Sequence, residues 1–220
     1  MATATETKNI ITIRGSTEIV TEFFGYAVNS ILFQRGIYPP ETFERKKKYG
    51  LTMLVTADTG LNSYLSNVLQ QISAWLLDGN LQRLVLVITS VASKEVLERW
   101  AFDIEADGAV AADGAVASDG AVAADGPAPS VTVAKPEKEI MSEIQAIIRQ
   151  ITASVTFLPM LEDQCTFDLL VYTKADSNVP QQWEESDPRY ITNAADVRLR
   201  SFTTKIHKVD AMVSYKQDDD

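Results

Sequence analysis

Cysteine and histidine, the residue types best suited to nucleophilic chemistry, occur only once each, as Cys165 and His207. A thiol activated by an imidazole attacks acyl groups, so this pair is the one cysteine-based catalytic option. Cys165 borders an apolar strand pattern, where cysteine usually packs as a small hydrophobe, and no neighbour lowers its thiol pKa. His207 stands between Ile206 and Lys208, as a strand residue would. We therefore favour structural roles for both.

Paired carboxylates are the next candidates, because two of them can share general acid and base work. The adjacent pairs Glu162-Asp163 and Glu184-Glu185 lie in predicted turns, without an apolar setting that would raise a carboxyl pKa. Solvated turns explain them better. A phosphate-binding glycine loop, a dinucleotide fingerprint and a metal-ligand cluster are all missing from the sequence. We expect a binding protein without cofactor or metal, not an enzyme.

The net charge of −10 over 220 residues comes mostly from two acidic segments. Without their seven aspartates the net charge would be −3, and no basic stripe suited to nucleic acid remains. The sequence also lacks an apolar run long enough to cross a bilayer and an apolar N-terminal signal core, which predicts a soluble, intracellular protein. The aspartates in question are Asp107, Asp113, Asp119, Asp125, Asp218, Asp219 and Asp220.

Apolar residues at helical spacing predict three helices. The first begins with Ser16 as its N-terminal cap and ends at Gly36, before Pro39-Pro40. The second covers about 61–76, and the third begins near Pro136 and reaches about 151. Arg149 and Gln150 fall off the apolar stripe of the third helix and should face outward.

Strand patterns cover 51–56, 84–88, 96–104 and 167–173, and residues 93–95 suit a hairpin connection. The stretch 182–216 also alternates like strands, yet its turn signals are only Ser186-Asp187-Pro188 and a weaker Thr192-Asn193. Strands of weak register can re-pair or accept a foreign strand. The pattern alone leaves open whether this stretch is an ordinary terminal sheet or a segment that moves.

These elements predict an α+β fold, with three helices packed on a mainly antiparallel sheet in one domain. The domain should cover 10–216, after a flexible N-terminus at 1–9 and before an acidic tail at 217–220. From about 106 to 130 the sequence repeats a six-residue unit that contains Asp-Gly, such as ADGAVA. Its apolar content is too low to offset chain entropy, so we expect a flexible loop inside the domain.

Seven long blocks of the sequence are distinctive: RGSTEIVTEFF (14–24), NSILFQRGIYP (29–39), KYGLTMLVT (48–56), LERWAFDIE (97–105), IRQITASVTFLP (148–159), WEESDP (183–188) and VRLRSFTTKIHKVDAMVSYK (197–216). They closely resemble the spindle-checkpoint members of the HORMA-domain family. The likeness covers nearly the whole chain except residues 1–8, the repeat and the acidic tail. Translesion-polymerase and meiotic-axis members of the family share the fold, but should not share such long blocks.

The resemblance implies an adaptor that switches between an open and a closed conformer. Its C-terminal segment, the "safety belt", would rearrange and enclose an extended partner peptide. The implied partners are a coiled-coil kinetochore receptor, the co-activator of the anaphase-promoting complex, a checkpoint-silencing HORMA adaptor with its remodelling ATPase, and a second copy in an open–closed dimer. Capture of the co-activator would delay anaphase. The implied locations are nucleus, kinetochore and cytoplasm.

The same resemblance assigns roles to individual positions. Arg35, Arg149 and Gln150 match the surface for dimerisation and for the silencing adaptor. For Arg35 the alternative is a structural cation that the helix dipole favours at the end of the first helix, and the sequence does not separate the two. The edge strand that receives the peptide matches 167–173, with Phe167, Leu169 and Val171, and Trp183 lies in the belt that closes over it. Ile13 and Val209 match positions that respond to the conformational switch. A longer connection at the repeat departs from the family, and we expect that shortening it slows conversion.

Overall fold

The computed structural model describes residues 11–106 and 135–217. The proposed flexible N-terminus, all but the first residue of the repeat and the three tail aspartates therefore lie outside the described residues. The domain boundaries stay a prediction.

Three α-helices occur in the described part of the chain: α1 (Ile13–Gln34), α2 (Thr59–Leu77) and α3 (Glu137–Ala153). The expected cap at Ser16 is wrong. Thr12, in an extended conformation, caps α1, and its hydroxyl accepts a hydrogen bond from the Gly15 amide at 3.1 Å. Ser16 lies inside the first turn and faces the interior. At the other end Gly36 takes a φ of 65°, as expected for the residue that follows a helix.

A two-stranded hairpin, β1 (Phe43–Lys48) and β2 (Leu51–Thr56), follows α1. Its turn residues Tyr49 and Gly50 both have positive φ angles, 51° and 69°, which suits the twist of a tight hairpin. The sequence predicted β2 but not β1. The run FERKKK carries no alternation of apolar and polar residues, and only its pairing with β2 makes it a strand.

Five further strands of the described chain form one antiparallel sheet. They are β3 (Leu81–Ser90), β4 (Val96–Ala106), β5 (Cys165–Thr173), β6 (Ala194–Thr203) and β7 (His207–Lys216). Their spatial order is β5-β3-β4-β7-β6, so the β6–β7 hairpin pairs with β4, and β5 and β6 form the two edges.

The helices pack on one face of this sheet, in a core that includes Phe23, Phe24, Trp100, Phe102 and Phe202. The opposite face has a smaller buried cluster formed by Val85, Val87 and Ala101. The expected α+β fold, with helices on a mainly antiparallel sheet, is confirmed.

The turn between β6 and β7 had no signal in the sequence. Thr204 forms it without glycine: its hydroxyl oxygen accepts the backbone N–H of His207 at 3.0 Å, and Lys205 takes a φ of 71°. Because a threonine hydroxyl replaces the usual Asn-Gly chemistry, a search for glycine turns misses it.

Candidate functional site

Strand β5 is paired on one side only. Its partner is β3, and among residues 11–106 and 135–217 no strand pairs with its outer side. Along an antiparallel strand every second residue directs its N–H and C=O away from the partner, so β5 presents backbone groups that have no strand partner. Leu169 and Val171 point to the helix-covered face, and Asp168 and Leu170 belong to the opposite face.

Phe167 also lies on the helix-covered face, near the start of β5. Its ring makes edge-on contacts with Tyr38 and Tyr64, at centroid distances of 6.1 and 6.0 Å. These contacts leave the Phe167 side chain half-buried. Tyr64 holds the start of β5 against α2, and Tyr38 holds it against the loop that follows α1. The predicted edge residues therefore support the strand from one face.

Residues 174–193, which we call the crossing segment, lead from β5 to β6 past this free edge. The segment begins on the helix side, where the indole Nε1 of Trp75 donates to the Asn178 carbonyl at 3.1 Å. Trp183 then packs against Trp75, with centroids 5.0 Å apart and planes at 69°. Its first half is thereby fixed to α2.

The second half of the crossing segment lies over the opposite face of the sheet. Arg189 forms an ion pair with Asp168 of β5 at 2.6 Å. The Tyr190 ring lies over the guanidinium of Arg99 of β4, 4.9 Å from its central carbon. The segment therefore contacts both faces and passes around the β5 edge.

A cavity of about 460 Å³ separates the crossing segment from β5. Its walls include Leu169 and Val171 from the strand, and Trp183, Glu184 and Glu185 from the segment. An extended peptide placed there could pair with the free backbone groups of β5 as an added strand. The two glutamates, read from sequence as a solvated turn, are exposed at its rim.

The three residues predicted for dimerisation lie in different settings. Arg149 is exposed on α3, as the helical pattern indicated. Gln150 is half-buried, and its side-chain oxygen accepts the backbone N–H of Arg200 at 2.7 Å. Gln150 thus connects α3 to strand β6.

The Arg35 side chain is mostly enclosed by its neighbours, and its part in dimerisation stays a prediction. Its side chain is 6% exposed and forms an ion pair with Glu98, which is 2% exposed. The guanidinium also donates to the Pro159 carbonyl, and Trp100 Nε1 donates to Glu98 at 3.0 Å. Burial raises the pKa of Glu98, while Arg35 opposes the shift. Arg35 therefore joins the end of α1 to β4 and to the loop after α3.

The two predicted switch residues differ in burial. Ile13 is the first residue of α1 and is 43% exposed. Val209 is fully buried in β7, opposite Ile104 of β4 and Phe202 of β6. Val209 belongs to the contact that seats the C-terminal hairpin (β6 and β7) on β4.

A buried polar cluster near the start of α1 was missed in the sequence. Ser16 Oγ lies 2.7 Å from Nδ1 of His207 and 2.6 Å from the hydroxyl oxygen of Thr204. Burial lowers the pKa of His207, opposed by a hydrogen bond to the Leu76 backbone. A Ser–His contact also occurs in hydrolases, but Ser16 is 0% exposed, and its hydroxyl contacts Thr204 as well as His207. The cluster joins α1 to the β6–β7 turn. The sequence did not indicate it because Ser16 and His207 are 191 positions apart.

Cys165 and His207 do not meet. Cys165 pairs with Ser90 at one end of the sheet, whereas His207 pairs with Ala106 at the other end. Burial also raises the pKa of the Cys165 thiol, which disfavours the reactive thiolate. The Cys–His nucleophile considered from the sequence is therefore not assembled.

The described residues contain no group of three or more His, Cys, Asp or Glu side chains that could hold a metal ion. None of the described helices is sufficiently long and apolar to span a bilayer.

Comparisons with known proteins agree with this geometry. The HORMA domain family matches residues 16–207. The mitotic spindle assembly checkpoint protein MAD2A of Dictyostelium discoideum is 60% identical over the full length of both chains. MAD2A of Homo sapiens is 54% identical over 94% of this chain and 93% of its own. The chain belongs to the HORMA-domain family, and within it to the MAD2 group of spindle assembly checkpoint proteins.

Solved structures support the same assignment. A chain in the crystal structure of the mitotic checkpoint complex has a TM-score of 0.78 and 45% identity, covering 92% of this chain and 99% of that one. The C. elegans protein HTP-1 bound to HTP-3 motif-1 has a TM-score of 0.71 at 19% identity, over 94% of this chain and 92% of that one. The second likeness concerns the fold alone.

Proposed function

We propose that this chain acts in the spindle assembly checkpoint as an adaptor that encloses a partner peptide between strand β5 and the crossing segment. The peptide adds as a strand to β5, and its side chains enter the cavity on either side. The observation that carries the proposal is the free edge of β5 with residues 174–193 passing around it. A peptide held in this way leaves only when the segment opens, so release should be slow.

The pairing of the C-terminal hairpin supports our proposal that the arrangement described here is the closed conformer. The C-terminal hairpin pairs with β4 through nine residue pairs and leaves β5 uncovered. In the open conformer that we propose, the hairpin would leave β4 and cover the β5 edge. Two packings of one sequence can coexist when they differ by only a few kcal/mol. A peptide that binds only one of them shifts the population toward it.

The partners that we propose are a coiled-coil kinetochore receptor and the co-activator of the anaphase-promoting complex. Either would supply the added strand, and capture of the co-activator would delay anaphase. The exposed rim glutamates Glu184 and Glu185 favour a peptide with basic residues beside its apolar ones. The protein would then work at kinetochores, in the nucleus and in the cytoplasm.

A separate surface around Arg149 on α3 is our candidate for the self-dimer and for the silencing adaptor with its ATPase. Arg149 is exposed and next to a cavity of about 310 Å³ between α1, β2 and α3. Gln150 holds α3 against β6, so its part in such an interface would be to position the edge of the sheet.

Peptide binding tests this function directly. Fluorescent peptides from the receptor, the co-activator and a translesion polymerase subunit would be titrated into the full chain, and anisotropy and ion-exchange elution recorded. We expect the first two to bind and to shift the protein to one elution position. Binding of the polymerase peptide alone would favour the other HORMA role, and failure of all three would refute peptide capture.

A further inference from the structure

Two consecutive residues of the crossing segment contact two residues that lie in one row across the sheet. Val87 of β3 pairs with Asp168 of β5 on one side and with Arg99 of β4 on the other. Cross-strand partners point to the same face, so Asp168 and Arg99 project side by side, about 10 Å apart at two strand spacings. Arg189 pairs with the first and Tyr190 covers the second.

Arg99 is buried, as are the side chains of Arg35 and Lys135, but those two cations pair with carboxylates. Arg99 is 6% exposed, and its Nε and Nη2 atoms have no hydrogen-bond partner within the described residues. A buried cation without a carboxylate is costly, and the face of an aromatic ring is one of the few groups that can offset part of that cost. Tyr190 supplies this face.

Tyr190 in turn has little else to hold it. The residue is 69% exposed, so most of its surface stays in water while one ring face covers Arg99. An aromatic side chain so exposed gains little from burial of its own area. The contact with Arg99 is therefore its main interaction, and it lies at the far side of β5 from Trp183.

We propose that Arg189 and Tyr190 form a clasp that positions the crossing segment on Asp168 and Arg99, and that this clasp sets how slowly an enclosed peptide is released. The inference rests on the peptide-capture function proposed above. Together with the Trp75–Trp183 contact, the clasp fixes the segment on both sides of the β5 edge. Opening the segment requires the Tyr190 ring to leave Arg99 and the Arg189–Asp168 pair to separate.

The clasp can be tested without disturbing the core, because Tyr190, Arg189 and Asp168 are all partly exposed. Tyr190→Leu keeps apolar bulk but removes the ring, and Tyr190→Phe is the matched control that keeps the ring and removes only the hydroxyl. The readout is the dissociation rate of a pre-bound fluorescent co-activator peptide, chased with unlabelled peptide. The thermal unfolding midpoint of each peptide-free variant is measured in parallel.

We expect Tyr190→Leu to release the peptide about 10-fold faster, as loss of a cation–π contact to a desolvated cation predicts. Tyr190→Phe should stay within about two-fold, and neither should move the unfolding midpoint much. Arg189→Asp should also speed release. Adding Asp168→Arg should bring the release rate part of the way back to that of the wild type, because the ion pair is re-formed with its charges exchanged.

Equal release rates for wild type, Tyr190→Leu and Arg189→Asp would overturn the clasp and leave peptide capture intact. A faster release that only follows a lowered unfolding midpoint would also overturn it, since general destabilisation would then explain the rate. Failure of the wild-type chain to bind the peptide would instead refute the proposed function, so the two failures are distinguishable.

Discussion

Trp183 packs edge-on against Trp75, with ring centroids 5.0 Å apart, and so joins the crossing segment to helix α2. The contact is specific in geometry, because the positive edge of one ring meets the negative face of the other. It also closes the helix side of the cavity beside β5. The stability of this pair should therefore limit how often the crossing segment opens.

The first prediction follows from this pair. Trp183→Ala should weaken the closed crossing segment by about 1 kcal/mol or more, the worth of an aromatic pair beyond its buried area. Limited proteolysis between residues 174 and 193 should then proceed at least about five-fold faster. Trp183→Phe is the matched control and should retain most of the protection. Unchanged proteolysis of Trp183→Ala would show that the pair does not hold the segment.

The second prediction concerns the buried ion pair of Arg35 and Glu98. Arg35→Ala leaves Glu98 buried without its cation, so the free energy of unfolding should fall by about 3 kcal/mol or more. Arg149→Ala is the control, since an exposed arginine should change stability by less than about 0.5 kcal/mol. Urea unfolding of both variants measures the difference.

The same two variants separate a fold effect from a surface effect. Under our proposal Arg149→Ala weakens self-association in sedimentation experiments while the fold stays intact. Arg35→Ala should weaken self-association only in proportion to its loss of folding stability. A stable, fully folded Arg35→Ala that fails to self-associate would restore Arg35 as a direct contact and contradict its buried assignment.

The third prediction is a pH dependence due to His207. Burial lowers its pKa below the unfolded value of 6.5, so the unfolded state binds more protons below that pH. The contribution of His207 to stability is therefore present above about pH 6.5 and is lost as pH falls toward the lowered pKa, with a slope of at most about 1.4 kcal/mol per pH unit.

Unfolding measured from pH 7.5 to 5.5 tests this, because His207 is the only histidine of the chain. His207→Gln should flatten the profile over this interval, and Ser16→Ala should lower stability by about 1–3 kcal/mol through loss of a buried hydrogen-bond partner. A wild-type profile that stays flat would contradict the assigned shift.

The fourth prediction concerns the seat of the C-terminal hairpin on β4. Val209→Asn places an unpartnered amide in a fully buried site, at a cost of about 1–3 kcal/mol. In this structure the cost falls on the packing in which β7 pairs with β4. We expect the population to move toward the open conformer, seen as a second ion-exchange peak. Val209→Ile, which keeps the site apolar, should not move it.

Sequence periodicity was sufficient to predict the three helices and most strands, because each buries one continuous apolar stripe. It failed where tertiary contacts decide the local structure. Strand β1 has no stripe, and Thr12 displaced Ser16 as the cap because Ser16 is engaged with Thr204 and His207. The β6–β7 turn depends on a threonine hydroxyl instead of glycine.

The candidate site was predictable only through the family resemblance. Nothing in the spacing of residues 174–193 indicates that they pass around β5, because the segment has neither helical nor strand periodicity. The partners of Arg35 and Arg99 were equally hidden, since Glu98 and Tyr190 are 63 and 91 positions away. The weak turn signals of the C-terminal stretch were visible in the sequence. The strand partner of that stretch was not, and the structure shows that β7 pairs with β4.

Amide hydrogen exchange along residues 165–173 tests the central claim most directly. The outward-facing amides of β5, which have no strand partner in the described chain, should exchange fast in the peptide-free protein when it has the arrangement described here, with β7 paired to β4. On addition of a co-activator peptide every second amide between Phe167 and Thr173 should become protected, and protection should persist through the slow release of the peptide. A bound peptide that leaves these amides unprotected would contradict strand addition at β5.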